Sequence, residues 1–232
     1  MIKTFYISTL LILTIFTNLK GQVSIGPKLG LGISNYKSVK IPANYIPILT
    51  PQIGAVVNIK IGNIFNIRPE LLFLQRGATM KGEGINVDTE TEYTFTNQKR
   101  VSYLELPINI AAGMKAGTGR LELYTGPSFG LALGGKYKSE SPYYSNSGKI
   151  VAKKYPNNYK GTNSYINPLN ISLNFGIDYK FNKGFLFQIE YNLGLSNIGA
   201  HYENSTAESK RNEINITKAS SLNFAISYLF GL

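Results

Sequence analysis

The stretch Gly199–Ser205 reads GAHYENS and holds the chain's only histidine, His201. With Glu203 and Ser205 beside it, the stretch contains the residue types of a hydroxyl nucleophile, a base and an orienting acid. That set performs acyl transfer when the base reaches the hydroxyl and the acid fixes the base. Neighbours within one connecting segment do not supply that geometry, and a solvated surface histidine accounts for the same residues. Other chemistries are closed off by composition. There is no cysteine, so disulfides, thiolate metal sites and thiol nucleophiles are absent. One histidine cannot build a multi-histidine metal centre. The Gly30–Gly32 stretch, GLG, lacks the strand-to-helix context of a nucleotide site. No cofactor or metal is expected.

Two further constellations stand out. Lys28, Lys60, Arg68, Arg76 and Lys180 share a sequence parity with Glu70, Glu105, Glu122, Asp178 and Glu190. Five cations against five carboxylates on one face imply a network of ion pairs in an enclosed interior, because unpaired buried charge is costly. The second lies between Lys136 and Tyr165. There Lys136, Lys138, Lys149, Lys153, Lys154 and Lys160 face Glu140 alone, interleaved with Tyr137, Tyr143, Tyr144, Tyr155, Tyr159 and Tyr165. Tyrosines stack on sugar rings and lysines attract phosphate or carboxylate. Lys138, Tyr143, Tyr144, Lys149, Lys153, Lys154, Tyr155 and Lys160 are therefore candidates for an external binding loop. A flexible, solvated loop is the plainer reading of the same composition.

The elements that position these residues repeat with a period of two. In FGIDYKFNKGFLFQIEY, Phe175, Ile177 and Tyr179, then Phe185, Phe187, Ile189 and Tyr191, form one row. Asp178, Lys180, Gln188 and Glu190 fall in the other. That period specifies strands. The pattern predicts eight of them, over 23–34, 51–61, 65–76, 101–111, 121–133, 169–180, 185–196 and 220–230. Long connections alternate with tight turns at Gly62-Asn63, at Gly113–Gly119 and at FNKG (Phe181–Gly184). This is an up-and-down hairpin series.

A soluble lipocalin-like barrel shares that alternation. Two features oppose it. The polar row is rich in glycine (Gly26, Gly30, Gly32, Gly54, Gly126, Gly130, Gly134, Gly176, Gly194), which suits a crowded lumen and weakens a watery face. The apolar row is bulky in nearly every strand, too large for a small interior. The apolar row is thus expected to face lipid, and the sheet must close, since lipid offers the backbone no hydrogen-bond partner.

Residues 1–21 carry Lys3, an apolar run from Phe5 to Phe16 and Gly21, the features of a cleaved secretory signal. Residues 22–232 then form one barrel domain. Of 24 Lys and Arg, Lys3 and Lys20 leave with the leader, so 22 basic residues face 13 acidic ones, a charge of +9. In a secreted chain the partners implied by charge are anionic lipid headgroups or glycans, and not nucleic acid; for a lipid-facing barrel the expected ones are outer-membrane lipid and lipopolysaccharide.

RPELLF (Arg68–Phe73), YLELPINI (Tyr103–Ile110), YTGPSFG (Tyr124–Gly130) and EYNLGL (Glu190–Leu195) occur in order along the chain. On these motifs the sequence resembles the PorT-like outer-membrane β-barrel proteins of Gram-negative bacteria, over the whole mature chain. The resemblance implies an all-β, eight-stranded antiparallel transmembrane barrel in the cell outer membrane, with short periplasmic turns and long external loops. It implies little about activity. Some relatives assist a protein-secretion machinery, which would make an envelope or secretion-system protein a partner. The expected function is a non-enzymatic integral outer-membrane barrel with a structural, adhesion or assembly role, its lumen filled by ion pairs. The alternative is a small lipid-modifying enzyme that uses His201.

Overall fold

Branched and aromatic residues alternating with glycine and polar residues make pleated strands with one apolar face. In the computed structural model, which describes residues 23–38, 44–153, 164–199 and 217–231, such strands account for nearly all regular structure. They are β1 (Val23–Ser38), β2 (Asn44–Ile61), β3 (Phe65–Asn86), β4 (Thr91–Ala116), β5 (Gly119–Glu140), β6 (Ser145–Ala152), β7 (Ser164–Ile166), β8 (Leu169–Phe181), β9 (Phe185–Gly194), β10 (Thr217–Tyr228) and β11 (Phe230–Gly231).

Eight of these close a ring. The order is β4-β3-β2-β1-β10-β9-β8-β5, and β4 pairs with β5 to complete it. Every contact around the ring is antiparallel, from Lys28↔Ser227 between β1 and β10 to Leu106↔Phe129 between β4 and β5. Closure gives each strand two partners and removes the free edge that lipid would leave unsatisfied.

The two rows face as the alternation predicts. Leu29, Leu31, Ile53, Leu71, Phe73, Leu123, Phe187 and Ile189 are exposed large hydrophobics on the outer surface. From Ile25 to Ile33 the outer row of β1 runs nine residues. At a rise of ~3.3 Å and a tilt of ~40° that covers ~23 Å, close to the ~25 Å apolar band of outer-membrane barrels. A chain of edge-to-face rings marks the lower border of the band. Tyr179 meets Phe181 at 4.6 Å, Phe181 meets Phe187 at 5.6 Å, Phe185 meets Tyr228 at 4.9 Å and Tyr228 meets Phe230 at 4.8 Å.

The tight turns need glycine. Gly62, Gly117 and Gly184 hold φ of 68°, 58° and 93°, the left-handed region. Inside the barrel, Gly176 gives its place to a ring: a Cβ there would sit 2.2 Å from Cζ of Tyr124, its cross-strand partner.

Three differences from the sequence reading concern the outer end. The strands run further than the alternation does; β3 and β4 rise as one tall hairpin from Arg76↔Val101 to Asn86↔Thr91. The apolar face stops at the membrane, but backbone pairing continues in water. The seventh predicted strand, read to Ser196, ends at Gly194. Finally, Lys136–Tyr165 is not one loop. It contains the end of β5, all of β6 and the start of β7. Its Lys, Ser, Asn and Gly content hid a strand held by backbone pairing with β5 and by buried Ile150. Lys154, Tyr155, Lys160, His201, Glu203, Ser205 and the proposed leader lie outside the described residues.

Candidate functional site

The lumen is built in layers. At the periplasmic side, Arg68 on β3 bridges two carboxylates. Its Nη1 donates to Asp178 on β8 and its Nη2 to Glu122 on β5. Its Nε and Nη2 also reach Asn58 Oδ1, each at 3.2 Å. Glu122 Oε1 accepts from Asn66 Nδ2 at 2.8 Å and from Arg120 Nε at 2.7 Å. Arg120 was not among the predicted lumen residues, because it precedes the apolar run of β5. It ties the turns together through the carbonyls of Asn63, Ile64 and Gly113 at 2.6–2.7 Å.

Above this layer, Lys28 Nζ donates to Glu70 Oε2 at 2.6 Å. Glu190 has no cation within ion-pair distance among the described residues; it accepts from Tyr124 Oη at 3.2 Å and Asn223 Nδ2 at 3.3 Å. Higher still, Arg76 Nη2 meets both oxygens of Glu105, at 2.9 and 2.7 Å. Its Nη1 donates to Asn192 Oδ1 at 2.7 Å, and Ser128 Oγ adds a 2.7 Å bond to Glu105.

Of the ten charged residues read as inward, eight are buried. They are Lys28, Arg68, Glu70, Arg76, Glu105, Glu122, Asp178 and Glu190, none more than 5% exposed. Lys60 and Lys180 instead stand at the periplasmic mouth. They line a polar recess of about 540 Å³ and make no ion pair among the described residues. The charge is therefore stratified rather than balanced level by level.

Apolar layers that the sequence reading missed sit at both ends of this polar stack. Val56, Leu186 and Leu229 cluster toward the lower end. Tyr36, Leu74, Val101, Tyr103, Ile150, Ile166 and Ile198 pack across the upper end. Tyr103 and Leu186 already lay on the inward row, and that parity was the available signal. A larger recess of about 1010 Å³ is walled chiefly by outward side chains such as Leu29, Leu31, Ile53, Phe187 and Ile189, and so belongs to the lipid face.

Outside the membrane, β6 takes the place beside β5 that β8 holds below. Leu131↔Leu169 is the last β5–β8 pair, and Gly135↔Ile150 follows it. The sheet β4-β5-β6 places three cations side by side. Arg100 lies opposite Lys136, and Lys136 lies opposite Lys149. Lys136 and Lys149 are exposed and Arg100 is half-exposed. Partners in register share a face, so all three point outward with Leu104 and Leu131. Like charges directly opposed are destabilising. The nearest carboxylate along the row, Glu140, pairs instead with Lys138 at 2.5 Å. Tyr143 and Tyr144 are exposed at the adjoining tip, and Tyr143 packs edge-on against Tyr93 at 5.0 Å. Lys153 is exposed beyond β6.

Residues 17–200 match the family described as "Outer membrane protein beta-barrel domain". The chain belongs to this family. As a member, it is a protein of the cell outer membrane, crossing it as an eight-stranded barrel with short periplasmic turns and long external connections. No curated protein matches the sequence. Similar solved structures include Ail, the attachment invasion locus protein of Yersinia pestis, at 12% identity over 91% of this chain and 99% of that one, with a TM-score of 0.39. Neisserial surface protein A aligns at 8% identity over 90% and 99%, with a TM-score of 0.43. Ail in complex with the heparin analogue sucrose octasulfate aligns at 12% identity over 90% and 99%, with a TM-score of 0.39.

Within this outer-membrane barrel the candidate binding residues divide. Lys138, Tyr143, Tyr144, Lys149 and Lys153 share the outer end of β5–β6. Arg100 and Lys136 join them through register. Arg100 lay in a connection with no alternation, so periodicity gave no sign of it.

Proposed function

We propose that the protein is a non-enzymatic outer-membrane barrel that acts through its external face, binding anionic saccharide in an adhesion or envelope-assembly role. The observation that carries this is the outward row Arg100–Lys136–Lys149, in which like charges oppose each other with no carboxylate between them. An anion seated across the row offsets that repulsion. Exposed Tyr143 and Tyr144 beside it offer faces for sugar rings. The lumen has a separate role in this reading. Its ion pairs and apolar ends fill the bore, so it braces the barrel and conducts nothing. A cleaved leader over residues 1–21 delivers the chain. The four motifs favour the PorT-like branch and, with it, a secretion-system partner.

The test is binding of a sulfated oligosaccharide to the folded protein in vesicles. Affinity should fall with salt, since exposed charges are screened beyond ~10 Å at 0.1 M. Neutralising Lys138, Lys149 and Lys153 together should reduce it, and His201→Ala should leave binding and envelope function unchanged. Binding indifferent to salt and to those lysines refutes the reading. Loss of function in His201→Ala supports the lipid-modifying enzyme instead.

A further inference from the structure

The height of the cationic row is informative. On β5 the outward residues are Leu131, Leu133 and then, past a bulge at Gly134 (φ 115°), Lys136. Leu131 and Leu133 are 51% and 55% exposed and face the acyl chains. On β4 the outward series runs Leu104, Ser102, Arg100. Beneath β6, the strand that carries Lys149, stands exposed Leu169 at the top of β8. The three cations thus begin where the lipid-facing leucines end, on the side of the barrel wall that faces the leaflet. Adjacent strands lie ~4.8 Å apart, so the row spans ~10 Å along the membrane surface. Arg100 is held in place, since its Nη1 donates to the carbonyl of Leu49 at 2.9 Å. One of its five N–H groups is engaged there, and the guanidinium remains suited to an oxyanion.

We infer that Arg100, Lys136 and Lys149 form a binding site for the phosphate of a glycolipid in the outer leaflet, with its acyl chains lying down the face of Leu104, Leu131, Leu133 and Leu169. A soluble glycan above the membrane would have no use for the leucines directly below the charges. A phosphorylated, acylated saccharide such as lipid A meets both at once. The inference rests on the external face being an anion site, and it fixes the class of anion.

The experiment uses the full folded barrel in detergent, titrated with bisphosphorylated lipid A, with dephosphorylated lipid A and with soluble sucrose octasulfate, read by native mass spectrometry and calorimetry. Heat-dependent gel mobility checks that each variant is folded. Bisphosphorylated lipid A should bind at least tenfold more tightly than the dephosphorylated lipid. Lys136→Gln/Lys149→Gln should abolish most of that preference, Lys136→Arg/Lys149→Arg should keep it, and Lys183→Gln, in the exposed turn at the opposite end of the barrel, should not change it. Equal affinity for both lipids, or a preference that survives Lys136→Gln/Lys149→Gln, overturns the inference. Binding of the octasulfate but not of either lipid also overturns it, while leaving the external anion-binding reading intact. If neither anion binds, both fail.

Discussion

Arginine placed at Ile189 and at Gln188, neighbours on β9, should have opposite consequences. Ile189 is 47% exposed in the middle of the outer row Phe185, Phe187, Ile189, Tyr191 and Leu193. An arginine there enters the hydrocarbon near its midplane and costs about 2–4 kcal/mol. At 3 kcal/mol the folded-to-unfolded ratio falls about 150-fold. Gln188 is 2% exposed and lies inside, directly across from Asp178. Asp178 Oδ1 has no hydrogen-bond partner among the described residues. A larger side chain in the packed lumen costs about 1–3 kcal/mol. A charge-assisted bond to the waiting carboxylate returns about 1.5–3 kcal/mol. Gln188→Arg should therefore change stability little. The assay is urea unfolding in phospholipid vesicles, followed by tyrosine fluorescence and by loss of heat-dependent gel mobility. Equal destabilisation by the two arginines, or a larger effect at Gln188, refutes the assignment of faces.

Arg68→Met strands Glu122 and Asp178 without their shared cation and should cost about 3–5 kcal/mol in the same urea assay; adding Glu122→Gln and Asp178→Asn should recover most of it. Glu190→Gln removes a charge that has no ion-pair partner among the described residues and should be neutral or stabilising, whereas Lys28→Met, which orphans Glu70, should destabilise. Lys99, above the apolar band, has its amine held below the ordinary lysine value by burial. The unfolded chain then binds more protons between the two values, so unfolding free energy should rise with pH across that window, and Lys99→Met should flatten the rise.

How much of this was legible in the sequence differs by region. Within the bilayer nearly everything was. Phe185, Phe187 and Ile189 face lipid, and Gln188 and Glu190 face the lumen, because a period of two permits only two faces and lipid accepts one of them. Parity also placed Arg68, Glu122 and Asp178 on the inward face. It could not pair them, since which inward residues meet across the bore depends on stagger and closure. Nor could it separate Lys60 and Lys180, at the mouth, from residues in the middle of the barrel. Above the membrane the signal disappears. Water can flank both faces of β6, so Ser145–Lys149 has no reason to alternate and reads as loop. Arg100, Lys136 and Lys149 are 36 and 13 positions apart along the chain and become neighbours only through register.

A closed, ion-paired lumen beneath a working external face is tested most directly by electrical recording in a planar lipid bilayer. The wild-type barrel, once inserted, should give no steady conductance steps in concentrated potassium chloride. The apolar clusters of Val56, Leu186 and Leu229 and of Leu74, Val101 and Tyr103 are what should interrupt a wet path through the bore. Reproducible, long-lived steps from the wild-type protein, abolished when Arg68 or Glu105 is replaced, would mean that the charged interior is a pore.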